Sequence, residues 1–586
     1  MSRSPPASVA DVPGLRRLDR LTRRVLGVAL VAALLRLVLL GARVSHYDEG
    51  RVGWWTLHFL DTGQFEYRYI IHGPFVQHVD RVVFALVGAN DVTMRLVVAV
   101  AGSALPLAAL LFREHLDDDE TLGVAAFLAV NPVLVYYSRF FRSTLLVAAF
   151  SFVAFGLLVR AVDERSVWRA QGAVAFVALA FAAKENAAVY LLCWAGGLAL
   201  LADHALFRTG SDESGVDWVR ARLPPRERLD HYRSRWLRYV GHLALGGALF
   251  VAVSLFFYAP RSPDASAVGL WQGVTNPTQF PTVLDRTLDD VVTGYEYWFG
   301  GSTDPVCRKD NVIDGYLCFL GRSVETLKNY ALPLMVLSVT GFLAERWGRP
   351  RSRWLVLFAG YWGFVSVLGY PLGTDIYGGW ITVNALVPLT IPAGVGLALV
   401  WRWTRDALHG DALRFGVAAF VVFLVVGLMA QALVLGVYVN PTGDGNELVQ
   451  YAQPADDFRP AMRPLDGRAS THEGADVLVV GSDYVRDSKR NDGIEPLCTS
   501  IRETLPLQWY IEAYGAEGEC AQSVSDAAEV IESDDPIVVI APASYQSRLS
   551  KHLDGYDSAV HRLRTRGRAT VFFTDRGAGS QTADGG

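Results

Sequence analysis

Residues 25–49 read VLGVALVAALLRLVLLGARVSHYDE. The first eighteen are apolar except for Arg36, and as a helix they would span about 27 Å, close to the hydrocarbon thickness of a bilayer. Arg16, Arg17, Arg20, Arg23 and Arg24 precede them, a basic run that marks the cytoplasmic side of a membrane. The block is long for a secretory h-region and no small-residue cleavage site follows it, so it reads as a retained anchor. Arg36 inside it is expected to face other helices. Just beyond the block stand Asp48 and Glu49, two adjacent carboxylates at a membrane boundary. Charge is costly there unless it has a partner or a task.

Composition agrees with a polytopic membrane protein. Of 586 residues, 51% are hydrophobic, and they come in blocks rather than mixed through the chain. Spans are expected at 25–42, 91–112, 120–137, 143–161, 168–183, 187–203, 239–258, 329–346, 353–371, 381–401 and 414–438, about eleven in all. Arginine placement supports this alternation. Arg113, Arg165, the arginine-rich connector 204–238 and Arg346, Arg349, Arg351 and Arg353 all fall on the cytoplasmic side. Segment 1–24 is then cytoplasmic. The loops 43–90 and 259–328, and everything after about residue 440, face the other way, so the carboxyl-terminal part is extracellular.

That last part opens on Asn440-Pro441-Thr442-Gly443, a turn or linker signal. It then alternates: Val477–Val480, Ile537–Ile540 and Thr570–Thr574 read as strands and Leu507–Tyr514 as a helix. A small α/β domain over 441–576 follows, with a Gly/Ser-rich, disordered end at 577–586. The fold class is therefore mainly α, polytopic, with an extracytoplasmic α/β domain. Of five cysteines, Cys193 lies within an apolar block. Cys307 with Cys318, and Cys498 with Cys520, lie in polar outer segments, where either disulfides or free thiols would fit. No Gly-rich phosphate loop, zinc spacing, nucleophile signature or fixed-period repeat is present. Nothing in the charge pattern suggests nucleic acid as a partner.

Several residues could carry chemistry. Asp48 beside the membrane could take a proton from an acceptor hydroxyl, and with Glu49 it could hold a divalent cation; the plainer reading is two acids at a helix start. Glu66 follows in the same loop. So does His72, in His72-Gly73-Pro74-Phe75, where Gly-Pro fixes a turn that could aim the imidazole. Arg139 and Arg142 sit in an outer hairpin turn, where arginines suit a lipid phosphate or snorkel to headgroups. Lys184-Glu185 pose the same choice, an ammonium on a phosphate or a simple ion pair. Asp375 lies in Gly373-Thr374-Asp375-Ile376-Tyr377-Gly378-Gly379-Trp380, where glycines permit close approach of a ligand.

Together these features resemble the GT-C membrane glycosyltransferases: an acidic pair after the first span, a loop closing on His72-Gly73-Pro74, Asn131-Pro132 through Ser138-Arg139 after the third span, and Lys184-Glu185 after the fifth. Dolichyl-phosphate-mannose–protein mannosyltransferases and lipid A aminoarabinose transferases belong to that superfamily. The chain is most similar to the archaeal flippase activity-associated family of N-glycosylation. The likeness covers roughly 25–440, and extends more loosely into the tail through Tyr451-Ala452-Gln453 and Leu507-Gln508-Trp509-Tyr510. It implies a polyprenyl (dolichyl) phosphate-linked sugar donor in the lipid bilayer and an extracytoplasmic glycan or protein acceptor. By motif position Asp48 would be the catalytic base, Glu49 a helper or cation ligand, and Arg139 and Lys184 the phosphate holders. Glu66, His72, Arg142, Glu185 and Asp375 would complete substrate binding, and Asp48, Glu49 and His72 are the candidate metal set. Two motifs depart from the family: where a basic residue and a histidine are expected near the late span, the chain has Asp375 and Asn384, and where a tyrosine-rich histidine motif is expected near residue 330 it reads Asn329-Tyr330-Ala331-Leu332-Pro333. A non-catalytic partner of lipid-linked oligosaccharide flipping is the alternative.

Overall fold

The computed structural model describes residues 18–69, 72–207, 226–264, 268–299, 307, 312–348, 352–372, 376–408, 410, 412–450, 452–486, 498–565 and 567–578. Sixteen helices build the larger part. They are α1 (Arg20–Leu37), α2 (Tyr47–Thr62), α3 (Pro74–Val87), α4 (Thr93–Ala104, continued by a 3-10 stretch Leu105–Phe112), α5 (Asp118–Val130), α6 (Pro132–Ser138), α7 (Thr144–Asp163) and α8 (Val167–Ala183). Then come α9 (Ala187–Phe207), α10 (Arg226–Tyr258), α11 (Leu270–Thr275), α12 (Phe280–Phe299), α13 (Val312–Trp347), α14 (Trp354–Gly369), α15 (Val383–Ala407) and α16 (Ala412–Leu433).

A helix stands at each of the eleven expected spans, but among the described residues eight are long and apolar enough to cross a membrane, or nine if α5 and α6, bent by 51°, form one span. The difference has a chemical cause. Arginines 20, 23, 24 and 36 load α1, and α8 is seventeen residues long. Arg36 does face other helices. Fully buried, it donates to Ser138 Oγ at 3.0 Å, to the Ala129 carbonyl at 2.8 Å and to the Leu128 carbonyl at 2.9 Å. Helix α15 is the hub, with 83% of its apolar window buried, whereas that of α16 is only 17% buried. Such an exposed apolar helix is one that lipid covers.

One end of the bundle is closed by an ion cluster. Arg353 donates to Glu120 at 2.6 Å and to Glu345 at 2.7 Å, tying the entrances of α5 and α14 to the exit of α13. At the other end lie α2, α3 and the tail. The tail holds a five-stranded sheet made of β1 (Val477–Val480), β2 (Gly518–Ala521), β3 (Val538–Pro542), β4 (Tyr556–Arg562) and β5 (Ala569–Asp575). The order is β2-β1-β3-β5-β4; β1 runs parallel to β2 and β3, and the other pairs are antiparallel. Helix α17 (Leu507–Ala513) leaves the sheet and packs on α2, while α18 (Val524–Asp534) lies against the sheet. Both candidate cysteine pairs are disulfides: Cys307–Cys318 joins a loop to α13, and Cys498–Cys520 ties β2 to the segment entering α17.

Candidate functional site

The site begins as a helix cap. His46 is the N-cap of α2: its Nδ1 accepts the Asp48 N–H at 2.9 Å, and Glu49 accepts the His46 N–H at 2.8 Å. This capping box sets both acids in the first turn, where the helix dipole favours negative charge. From there the two carboxylates diverge. Glu49 is fully buried, and its oxygens accept from Arg43 at 2.8 Å, from two nitrogens of Arg95 at 2.9 Å each and from the Phe141 N–H at 2.8 Å. Burial by itself would raise its pKa, but Arg43 and Arg95 outweigh this and hold it far below the usual carboxylate range.

Asp48 keeps 18% of its side chain exposed. One oxygen accepts from Arg142 Nη1 at 2.8 Å. The Gln450 amide closes over this pair, one of its terminal atoms 3.0 Å from Arg142 Nη1 and the other 3.2 Å from Asp48 Oδ2. Burial again works against ionisation, while His46 and then Arg142 favour it, so the Asp48 carboxyl titrates below its ordinary value. The guanidinium of Arg142 lies 3.7 Å over the Trp380 ring, which holds it flat. His46 is buried and titrates at about 4, mainly through burial, so at neutral pH it is an uncharged imidazole.

His72 is brought to the same place. Its Nδ1 is 3.2 Å from Ser143 Oγ, next to Arg142, and its buried Nε2 has no partner among the described residues. Burial and the charges of Arg142 and Lys184 push its pKa well down. Gly73 explains the His-Gly-Pro run. Its N–H donates to the Ala183 carbonyl at 2.9 Å, and a Cβ there would meet the Ala182 oxygen at 2.5 Å. Only glycine lets this loop press against the end of α8, where Lys184 leaves the helix in extended backbone.

The remaining candidates do not converge on Asp48. Glu66 is exposed and pairs with Arg286 at 2.5 Å. Glu185 is buried and accepts from the Tyr67 and Tyr258 hydroxyls, a clamp that fixes the Lys184 turn. Arg139 donates to the carbonyls of Leu35, Arg36, Val38 and Leu39 between 2.6 and 3.2 Å, so its guanidinium caps the end of α1. That geometry places Arg139 at the helix end, with three carbonyls on Nη1 and one on Nη2. Asp375 lies outside the described residues. Among the described residues no three His, Cys, Asp or Glu side chains are placed to hold a metal. Glu49, whose oxygens are both committed to arginines, does not fit a metal ligand.

Five contributors carry no local sequence signal: Arg43, Arg95, His46, Gln450 and Gln453. Gln453 accepts from Arg43 at 2.8 Å and donates to the Val44 carbonyl at 3.1 Å. The two glutamines lie about 400 residues along the chain from the loop they fasten, 410 for Gln453 and Arg43. Asp91 makes a second fastening, accepting from Ser45, Trp509, Tyr510 and Arg459.

The chain matches two family models, one described as dolichyl-phosphate-mannose-protein mannosyltransferase over residues 71–211 and one as Agl23 flippase-associated protein C-terminal domain over residues 458–575. No curated protein matches it. Among solved structures it resembles ArnT from Cupriavidus metallidurans in the apo state, at 14% identity over 94% of this chain and 98% of that one, with a TM-score of 0.54. It also resembles ArnT bound to undecaprenyl phosphate, at 15% identity over the same 94% and 98%, with a TM-score of 0.52. A weaker likeness, with a TM-score of 0.47 and 11% identity over 92% of this chain and 72% of that one, is to the oligosaccharyltransferase AglB from Archaeoglobus fulgidus in complex with an inhibitory peptide and a dolichol-phosphate. The chain thus has the fold of ArnT, with residues 71–211 similar to the dolichyl-phosphate-mannose-protein mannosyltransferase family and residues 458–575 similar to the Agl23 flippase-associated C-terminal domain.

Proposed function

We propose that this protein is a membrane glycosyltransferase that moves a sugar from a polyprenyl-phosphate donor to an acceptor on the extracytoplasmic side. The observation that carries the reading is the partly open Asp48 carboxylate, held ionised beside Arg142 and flanked by neutral His46 and His72. In this reading Asp48 takes the proton of an acceptor hydroxyl, the acceptor oxygen bonds to the anomeric carbon, and the bond to the lipid phosphate breaks. Arg142 and Lys184 neutralise the departing phosphate. Positioning and charge neutralisation supply most of the rate, because phosphate leaves readily. Glu49 sets the place of Asp48 through Arg43 and Arg95, and no step needs a metal. The mannosyltransferase match and the undecaprenyl phosphate of the ArnT structure support the donor class.

The amino terminus is then cytoplasmic and the tail extracytoplasmic, in keeping with Arg113, Arg346 and Arg353 at the bundle end opposite Asp48. A second reading, a non-catalytic partner of lipid-linked oligosaccharide flipping, is favoured by the Agl23 flippase-associated match of the tail. Asp48→Asn separates them. Loss of a general base should cut sugar transfer in isolated membranes by about 10²-fold or more at unchanged protein level. Undiminished transfer would overturn the enzymatic reading, and loss of surface glycans with transfer intact would favour translocation.

A further inference from the structure

Near the Asp48 end of the bundle, α13 and α16 diverge and leave a groove of about 490 Å³. Toward the Asp48 end the groove is polar, with Lys328, Asn329, Asn440 and Glu447. Leu332, Leu428 and Leu435, each between 41 and 49% exposed, line it further along the helices, with Gln431 between the last two. Leu428 on the exposed apolar α16 and Leu435 just beyond it face outward with Leu332 of α13, so the groove opens sideways to the bilayer as well as upward to water. Glu447 accepts from Asn329 at 2.6 Å with one oxygen, while the other is buried without a partner among the described residues.

The groove also adjoins the site. Glu447 is three residues before Gln450, within about 11 Å of chain reach, and between them the Leu448 carbonyl accepts from Tyr137 at 2.6 Å. The charge near its polar end is balanced, with Glu447 and Glu325 set against Lys328 and Arg322. Such a setting favours neutral hydroxyls over phosphate: amides and a carboxylate hydrogen-bond sugar hydroxyls, whereas an anion would meet two acids. Beside Asp48 the charge is instead cationic, with Arg142 at 2.8 Å.

We infer that this α13–α16 groove binds a neutral glycolipid, its tail along Leu332, Leu428 and Leu435 and its sugars on Asn329 and Glu447. Resting on the transferase reading, this makes the acceptor a lipid-borne saccharide that arrives from the membrane on a different side from the donor phosphate.

The test uses the full chain in nanodiscs and a glucosyl dialkylglycerol with a diazirine in its tail, photolysed and mapped by peptide mass spectrometry. The glycolipid should label peptides containing 328–333 and 428–436. Filling the groove with Ala432→Trp should cut that labelling about tenfold, and the isosteric Glu447→Gln about fivefold, the scale of a typical hydrogen bond's net contribution. Labelling elsewhere, or labelling indifferent to Ala432→Trp in protein that elutes as wild type does, would overturn the assignment. So would displacement by polyprenyl monophosphate or phosphatidylglycerol as effective as by unlabelled glycolipid. Asp48→Asn protein should label like wild type; a failed transfer assay therefore leaves the groove result standing, and failed labelling leaves the transfer result standing.

Discussion

Asp48 and Glu49 are neighbours in sequence, yet the structure gives them separate work. Helical geometry turns Glu49 inward onto Arg43 and Arg95 and leaves Asp48 at the opening. Glu49→Gln should strand two buried guanidiniums and destabilise the fold by about 3–5 kcal/mol, the scale of breaking a buried pair; thermal unfolding in detergent measures this, and an unchanged midpoint would contradict it. Acid should act in two stages. His46 has its folded pKa lowered to about 4, so below its ordinary 6.5 the unfolded chain binds the proton and the folded one does not, and stability falls from about pH 6.5 down to 4. Glu49 contributes stability that is full above its ordinary 4.5 and is lost as pH falls towards its lower folded value. A melting midpoint that stayed flat from pH 7 to 4 would refute the His46 part. At this scale the sequence revealed the acid pair, His72 and Arg142, because each stood out as charge or turn chemistry beside apolar blocks. It did not reveal Arg43, Arg95 or Gln450. Their meaning lies in partners 6, 46 and roughly 400 positions away, which no local pattern records.

Among the elements, α2 is the joint between the bundle and the tail. A Cβ on Gly53 would come within 2.6 Å of the Trp509 ring, so α17 lies flush on α2 only because that face is bare. Gly53→Leu should lift α17, at a cost of about 1–3 kcal/mol for overpacking. The expected readout is faster proteolysis of the tail, with sugar transfer reduced although Asp48 is intact; equal proteolysis would show that the contact is loose. The long helices were readable from apolar blocks and arginine positions, including the break at Lys184. Two strands were not. Gly518–Ala521 and Tyr556–Arg562 form the sheet edges, and their half-exposed polar residues lack the apolar run that marked the inner strands β1, β3 and β5.

Taken whole, the molecule is polarised. Ion pairs of Arg353 with Glu120 and Glu345, and of Arg402 with Asp117, close one end. The candidate site and the tail occupy the other. In intact cells a membrane-impermeant maleimide should label a cysteine at exposed Arg463 but reach one at exposed Glu114 only after permeabilisation; the reverse pattern would invert the proposed orientation. The engagement of Asp48 by Gln450, and of Arg43 by Gln453, sets a clock on biosynthesis. The ribosome must extend the chain from residue 49 to 510, 461 residues further, before α17 exists to seat on α2. At common elongation rates that is roughly half a minute to a minute and a half. Throughout that interval a nascent chain already threaded into the bilayer has its carboxylate but not the helix that seats the tail on α2.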